Sequence, residues 1–287
     1  MPDLHILEND LEAFSQKLSD LSATINNIAS LPYNLSYVKL AMEGGSAPTQ
    51  ATYAGEHMED QLLALKTSFS TLADNVKASA TEYWATEDIN QQSIQQVMAS
   101  LPEPCPPVGP SKGEGTMAIT WANILNWESG SLESIAKDLL EANQVLRKAY
   151  EDGEDALGAV RSEGEAVTAM REATTKNLAS LERALTNVNG ALLAIEGARD
   201  GVATVVANVH SLLAYASAVE CTILTNGTVI DHSLSRREDG PSQEYLDIVD
   251  KIKAIVEQAN QVDSNLCEAL SNINNDRYTD GDGANNK

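Results

Sequence analysis

The sequence predicts an all-α protein, built from elongated antiparallel helical hairpins that form a bundle, with one small β-hairpin-like insertion. Three observations predict this fold. Apolar residues recur in alternating steps of three and four over long stretches, segments rich in proline or glycine interrupt those stretches, and β-branched residues surround the pair Asn226–Gly227. Alternating steps of three and four place apolar side chains on one face of a helix, and a second helix must cover that face.

Residues 1–101 are predicted to form the first hairpin. The apolar seam of its first helix ends near Leu31–Pro32, because proline cannot continue a helix interior. That seam comprises Leu4, Leu7, Leu11, Phe14, Leu18, Leu21, Ile25 and Ile28. A short apolar strip (Tyr33, Tyr37, Leu40) follows, and then a turn in the segment EGGSAPTQ. The second helix is expected from about Thr52 to about Leu101, with a seam at Met58, Leu62, Leu65, Phe69, Leu72, Val76 and Tyr83.

The second half repeats this organisation after a linker predicted at residues 102–118, which are rich in proline and glycine. Residues 119–221 are predicted to form a second long hairpin. It begins with the lead-in TWANILNW and has serine N-cap candidates in ESGS. A turn is expected around Gly153, Gly158 and Gly164, followed by a helix of roughly 50 residues. Residues 222–275 predict a β-hairpin with a two-residue turn and a last helix, and residues 276–287 a disordered acidic tail.

Composition and motifs argue against several classes of function. A net charge of -23 disfavours nucleic acid as a partner, because phosphate backbones would be repelled. The three cysteines and four histidines are not at metal-ligand spacing, and no nucleophile elbow or phosphate-binding loop is present. We therefore expect no enzyme activity, no metal and no cofactor. The most apolar window starts at Val202 and includes Asn208 and His210, which predicts a helix buried on most sides and not a membrane span.

Two short motifs link the first hairpin to a known family. The segment TYAGEH places an aromatic residue, Tyr53, two positions before Gly55, and Tyr83 and Glu87 form a Tyr-x-x-x-Glu string thirty residues later. This combination resembles the WxG superfamily of helical hairpins, which type VII (ESX) secretion systems of actinobacteria export. In that family the hairpin turn carries Trp-x-Gly, so Tyr53 stands in place of the tryptophan.

The second half resembles the helical N-terminal region of larger actinobacterial exported proteins, including polymorphic toxins. The similar segments are TWANILNWESGSLESIAKDL, LTNGTVID and IVEQANQVDSNLCEAL. The segment SEGEA falls where those proteins have Trp-x-Gly-Glu-Ala, with Ser162 in place of the tryptophan and Gly164 as the glycine. The catalytic domain that follows in the toxins has no counterpart in this sequence.

The resemblance implies a role in secretion and names the residues that would serve it. Tyr83, Trp84 and Glu87 would form the export signal, and Tyr53–Gly55 and Ser162–Gly164 would mark the two hairpin turns. The implied partners are a secretion ATPase or chaperone of a type VII system and other WxG-like helical proteins. The protein would leave a Gram-positive cytoplasm without a cleaved leader and be secreted or held at the cell surface.

Two alternatives stay open. Tyr83 falls on the heptad seam, so Tyr83 and Trp84 could serve only to pack the first hairpin. The protein would then be an intracellular coiled-coil scaffold or adaptor, with other helices as partners. A variant of the secretion hypothesis is the trafficking part of a toxin that lacks its effector domain.

Overall fold

The computed structural model describes residues 9–85, 118–232 and 240–274. These residues are mostly helical, and the sheet found among them has two short antiparallel strands. The predicted all-α fold with a small β insertion is therefore confirmed.

The first hairpin consists of α1 (Asp10–Ile28) and α3 (Ala47–Ala85), joined through a 3-10 helix (Pro32–Tyr37) and the short α2 (Val38–Ala41). The predicted seam residues from Leu11 to Ile28 and from Met58 to Val76 are all buried. Ser15 and Ser22 of α1 donate hydrogen bonds to the carbonyl oxygens of Ala73 (2.8 Å) and Lys66 (2.9 Å). From the first of these hydrogen bonds to the second, the residue number rises by seven on α1 and falls by seven on α3. The two helices are therefore antiparallel.

The apolar strip between these helices faces solvent, and residues between its members are buried instead. Tyr33, Tyr37 and Leu40 are exposed, whereas Leu35 and Val38 are fully buried. The physical reason is the 3-10 helix that begins at Pro32. It has about three residues per turn, so a face counted at the α-helical period no longer matches the face that packs.

The second hairpin consists of α5 (Gly130–Ala159) and α6 (Glu165–Ala218), after a single turn of helix, α4 (Trp121–Ile124). The length of α6, 54 residues, agrees with the expectation of roughly 50. The serine N-caps predicted for α5 are not used. Instead, the Glu128 carboxylate accepts hydrogen bonds from the backbone N–H groups of Gly130 (2.7 Å) and Ser131 (3.2 Å) and from the Ser131 hydroxyl. The Ser131 hydroxyl contributes most to lowering the pKa of Glu128.

Two of the three glycines predicted to mark a turn lie inside α5. Gly153 is there because of packing. A Cβ at this position would stand 2.6 Å from Leu178 Cδ2 and 3.3 Å from Leu21 Cδ1. The absence of a side chain lets α6 approach α5 closely at this level. Gly158 has no such neighbour, and α5 continues past it to Ala159.

A β-hairpin and a long helix complete the described part of the chain. Strands β1 (Cys221–Ile223) and β2 (Val229–Asp231) pair antiparallel, with Thr222 opposite Ile230. The Gly227 N–H donates to the Leu224 carbonyl, and the Leu224 N–H donates to the Thr228 carbonyl. The loop therefore has three residues, not the predicted two, with Gly227 at φ 82°. The last helix, α7 (Gln243–Asn274), follows the prediction.

The chain divides into two compact units that do not coincide with the predicted hairpins. Unit 1 comprises residues 1–32, 56–107 and 139–189, and unit 2 comprises residues 33–55, 108–138 and 190–287. Each unit draws on both predicted hairpins, because the divisions fall inside α3, α5 and α6. The predicted linker and acidic tail lie outside the described residues, apart from residue 118.

Unit 1 pairs the two hairpins within one chain. In it, α3 and α6 are joined by side-chain hydrogen bonds from Ser68 to Asn177 (2.8 Å) and from Asn187 to Gln61 (3.2 Å). Portions of α1, α3, α5 and α6 together bury its apolar seams. In unit 2, α4 and β2 contact α7.

Candidate functional site

Tyr83 and Trp84, the first two residues of the predicted export signal, lie in the last described turn of α3. This helical position agrees with the prediction. Their side chains and all of Glu87 lie outside the part of the chain that the structure describes, as does the rest of the helix predicted up to residue 101. Both interpretations of this stretch, signal and packing, therefore stay predictions.

The prediction that Tyr53 and Gly55 mark the first hairpin turn is wrong, because both residues lie inside a helix. α3 begins at Ala47, so both residues are in its second and third turns. Tyr53 is 37% exposed, and Gly55 is buried. The helix starts earlier than expected because Pro48 fits the first turn, where its missing N–H has no partner to lose.

The actual turn before α3 spans residues 42–46 and depends on a buried acid from the last helix. Gly44 and Gly45 adopt left-handed conformations, with φ of 82° and 79°. Asp263 of α7, only 7% exposed, accepts hydrogen bonds from the N–H groups of Ser46 (2.9 and 3.1 Å) and Ala47 (2.9 Å). A Cβ on Gly45 would lie 2.4 Å from Asp263 Oδ1. The carboxylate thus caps α3 in place of a local N-cap residue.

The same turn also receives the lead-in to the second hairpin. The indole N–H of Trp127 donates to the Glu43 carbonyl (3.1 Å), and Asn126 donates to the Glu43 carboxylate (2.8 Å). A Cβ on Gly44 would stand 2.7 Å from Asn123 Cγ, so the lead-in packs directly on this glycine. The sequence predicted an apolar lead-in but not its partner. Two features of the sequence could have indicated this contact: the adjacent glycines Gly44 and Gly45, and Asp263 next to the apolar seam of α7.

The second predicted turn is confirmed: Ser162 and Gly164 lie between α5 and α6. Ser162 is fully buried, and Gly164 has φ 136°. The Asp10 carboxylate accepts hydrogen bonds from the Ser162 hydroxyl (2.6 Å), the Ser162 N–H (2.8 Å) and the Arg161 N–H (3.1 Å). Burial by itself would raise the pKa of Asp10, but these hydrogen bonds outweigh it and lower the pKa. The serine thus ties this turn to the start of α1.

Histidines and cysteines, the usual metal ligands and nucleophiles, occur singly in the described ranges. Within those ranges, no group of three or more His, Cys, Asp and Glu residues could hold a metal ion. Cys221 and Cys267 are free thiols, and burial, with nearby carboxylates, raises the pKa of both. A raised pKa disfavours the reactive thiolate. His232 shares a hydrogen bond with the Thr222 hydroxyl at 2.9 Å.

The most apolar part of α6 is buried on one side and exposed on the others, contrary to the prediction of a helix buried on most sides. By length and composition α6 could cross a membrane, yet only 28% of its 18-residue apolar window is buried. The high hydropathy comes partly from alanines, whose side chains lose little by facing water.

Comparison with known proteins identifies no family for this chain. No family model matches it, and neither a curated protein nor a solved structure does so.

Proposed function

We propose that this protein is a non-enzymatic substrate or associated factor of a type VII (ESX) secretion system in an actinobacterial cell, and that it is secreted or held at the cell surface. The observation that supports this proposal is the position of the Tyr83–Trp84 pair. It lies in the last described turn of the second long helix of an antiparallel hairpin, and the resembled family has its export signal towards the end of that helix. In unit 1 this hairpin packs on a second hairpin of the same chain through Ser68–Asn177 and Gln61–Asn187.

A secretion ATPase or chaperone would recognise this end of the helix, as peptide-binding proteins recognise a helix by side chains on one of its faces. Tyr83 and Glu87 are four residues apart, so in a continuous helix they would lie on the same face. Other WxG-like helical proteins are further candidate partners. The competing proposal, an intracellular scaffold, gives Tyr83, Trp84 and Glu87 no role beyond packing.

The test compares two carboxylate deletions. In Glu87→Ala the predicted signal loses its charge, and in Asp74→Ala an exposed carboxylate of α3 outside the motif is lost. An exposed helical carboxylate contributes only tenths of a kcal/mol to stability. Both variants should therefore melt like the wild type when followed by circular dichroism. Each is expressed in a host with an active type VII system, and the protein is quantified in culture filtrate and in cell lysate.

We expect Glu87→Ala to remain in the lysate while wild type and Asp74→Ala reach the filtrate. Export of Glu87→Ala at the wild-type level would refute the signal. Retention of the wild-type protein in such a host would favour the scaffold. Tyr83→Ala is less informative, because loss of a ring on the heptad seam could unfold the hairpin and block export indirectly.

A further inference from the structure

The chain contains two Asn-Gly pairs, and the structure places them in different backbone settings. Asn226–Gly227 lies in the loop between β1 and β2, and Asn189–Gly190 lies in the middle of α6. In both pairs the asparagine is exposed and the glycine is half-buried, so access of solvent does not distinguish them. Asparagine is chemically labile, and a following glycine leaves the peptide nitrogen between them open, because it has no Cβ.

The side chain of Asn226 is held against the peptide that follows it. Its Oδ1 accepts a hydrogen bond from the Thr228 N–H at 3.0 Å, which forms an Asx-turn. The ring closed by this hydrogen bond contains the Gly227 nitrogen. The turn therefore keeps the Asn226 amide next to that nitrogen.

From this arrangement we infer that Asn226 is a site of spontaneous deamidation and that Asn189 is protected from it. The Gly227 nitrogen loses its proton to a solvent base and forms a bond to Asn226 Cγ. Oδ1 then carries the negative charge, and the Thr228 N–H already donates to that oxygen. The Cγ–Nδ2 bond breaks and releases ammonia, which leaves a succinimide ring. Water opens the ring at either carbonyl and gives aspartate or isoaspartate, so the net reaction consumes water and releases ammonia without an oxidant.

Proton loss from Gly227 requires a small local opening of the loop. The Gly227 N–H donates to the Leu224 carbonyl at 2.9 Å. The two strands pair over only three residues each, and so short a hairpin opens easily. The Asx-turn involves residues 226–228 alone, so it can persist while the bond between Gly227 and Leu224 is broken.

The helix protects Asn189 from the same reaction. In an α-helix the Cα–Cβ bond tilts towards the N-terminus, which directs the side chain away from the peptide that follows it. The Asn189 Oδ1 accepts a hydrogen bond from Asn143 Nδ2 of α5, at 3.4 Å, and forms no Asx-turn. The Gly190 nitrogen could reach the Asn189 amide only if α6 unwound at this point.

Deamidation of Asn226 would act on the packing of unit 2. Gly227 lies against the buried Trp121, since a Cβ on this glycine would stand 3.2 Å from Trp121 Cβ. Aspartate adds a negative charge but keeps an acceptor for the Thr228 N–H. Isoaspartate also lengthens the backbone by one CH2 group, so we expect this product to lose the contact with Trp121 or the hydrogen bond to Leu224.

The test follows the two asparagines by peptide mass spectrometry during incubation of the full chain at mildly alkaline pH. Deamidation replaces NH by O, and electron-transfer fragmentation separates aspartate from isoaspartate. In the folded protein we expect Asn226 to convert at least about tenfold faster than Asn189. In urea, where neither the turn nor the helix remains, the two should convert at similar rates. Asn226→Gln is the control, because its longer side chain must close a larger ring and should stay unmodified at this position.

Several results would overturn the inference. They are equal rates at Asn226 and Asn189 in the folded protein, or conversion of Asn226 in urea alone. Formation of aspartate without isoaspartate would exclude the succinimide route. The inference is independent of export, so Glu87→Ala should deamidate at Asn226 like the wild type whether or not it is secreted.

Discussion

Removal of the Asp263 carboxylate should destabilise the protein more than removal of other acids in the last helix. This carboxylate is buried and accepts hydrogen bonds from two N–H groups at the start of α3, at 2.9 to 3.1 Å. In Asp263→Ala both N–H groups would lose their acceptor, and the positive end of the α3 dipole would lose its counter-charge.

The size of the effect follows from these contacts. A hydrogen bond to a charged group contributes about 1.5 to 3 kcal/mol, and two donors are involved. Water entering the space left by the side chain would recover part of the loss, so we expect about 3 kcal/mol for Asp263→Ala. Asp263→Asn retains one acceptor oxygen without the charge, and should cost about 1 kcal/mol.

Urea unfolding followed by circular dichroism measures these differences. Asp250→Ala is the control, because Asp250 lies on the same helix and pairs with Lys253 at 3.3 Å with both side chains more than 70% exposed. That substitution should change the free energy of unfolding by less than about 0.5 kcal/mol. If Asp263→Ala were as mild as Asp250→Ala, the reasoning about this cap would be refuted.

Two further substitutions test the packing of unit 1. Asp10→Asn should destabilise the protein at neutral pH. Because folding lowers the pKa of Asp10 below 3.8, this stabilisation is present above the unfolded-state pKa and is lost as pH falls through the folded-state pKa. The difference in unfolding free energy between wild type and Asp10→Asn should therefore shrink below about pH 4, and a difference that stays constant would contradict the assignment. Gly153→Ala should destabilise by about 1 kcal/mol in urea unfolding, because the clash with Leu178 exceeds the gain in helix propensity. Gly197→Ala, at a helical glycine with open space around it, should stabilise by up to about 1 kcal/mol, and equal effects of the two substitutions would exclude the packing explanation.

The helices were predictable because their signal is periodic and local. The seams of α1 and α3 and the length of α6 follow from steps of three and four residues, and the Asn-Gly pair located the β-hairpin. The start of α3 was not predictable from Tyr53 and Gly55. Gly44, Gly45 and Pro48 are compatible with a turn followed by a helix start, but they do not identify Asp263, 216 positions away, as the residue that caps it.

The candidate site was predictable only in part. Ser162 and Gly164 were placed correctly in a turn, but the buried hydrogen bonds between Ser162 and Asp10 depend on tertiary packing. The exposure of the apolar half of α6 was missed for a related reason. Hydropathy measures the preference of a segment for an apolar environment, whereas its burial depends on how many neighbours the fold supplies.

The cap on α3 has a consequence for the order in which the protein can fold. Asp263 and Ser46 are separated by 217 positions, and Ile119 is held to Asn260 of the same helix by a hydrogen bond of 3.1 Å. During synthesis, therefore, neither the start of α3 nor the lead-in to the second hairpin can form its hydrogen bonds with α7 until that last helix has been synthesised. All residues of unit 1 precede residue 190, so a nascent chain contains the whole of unit 1 before the last helix of unit 2 has been synthesised.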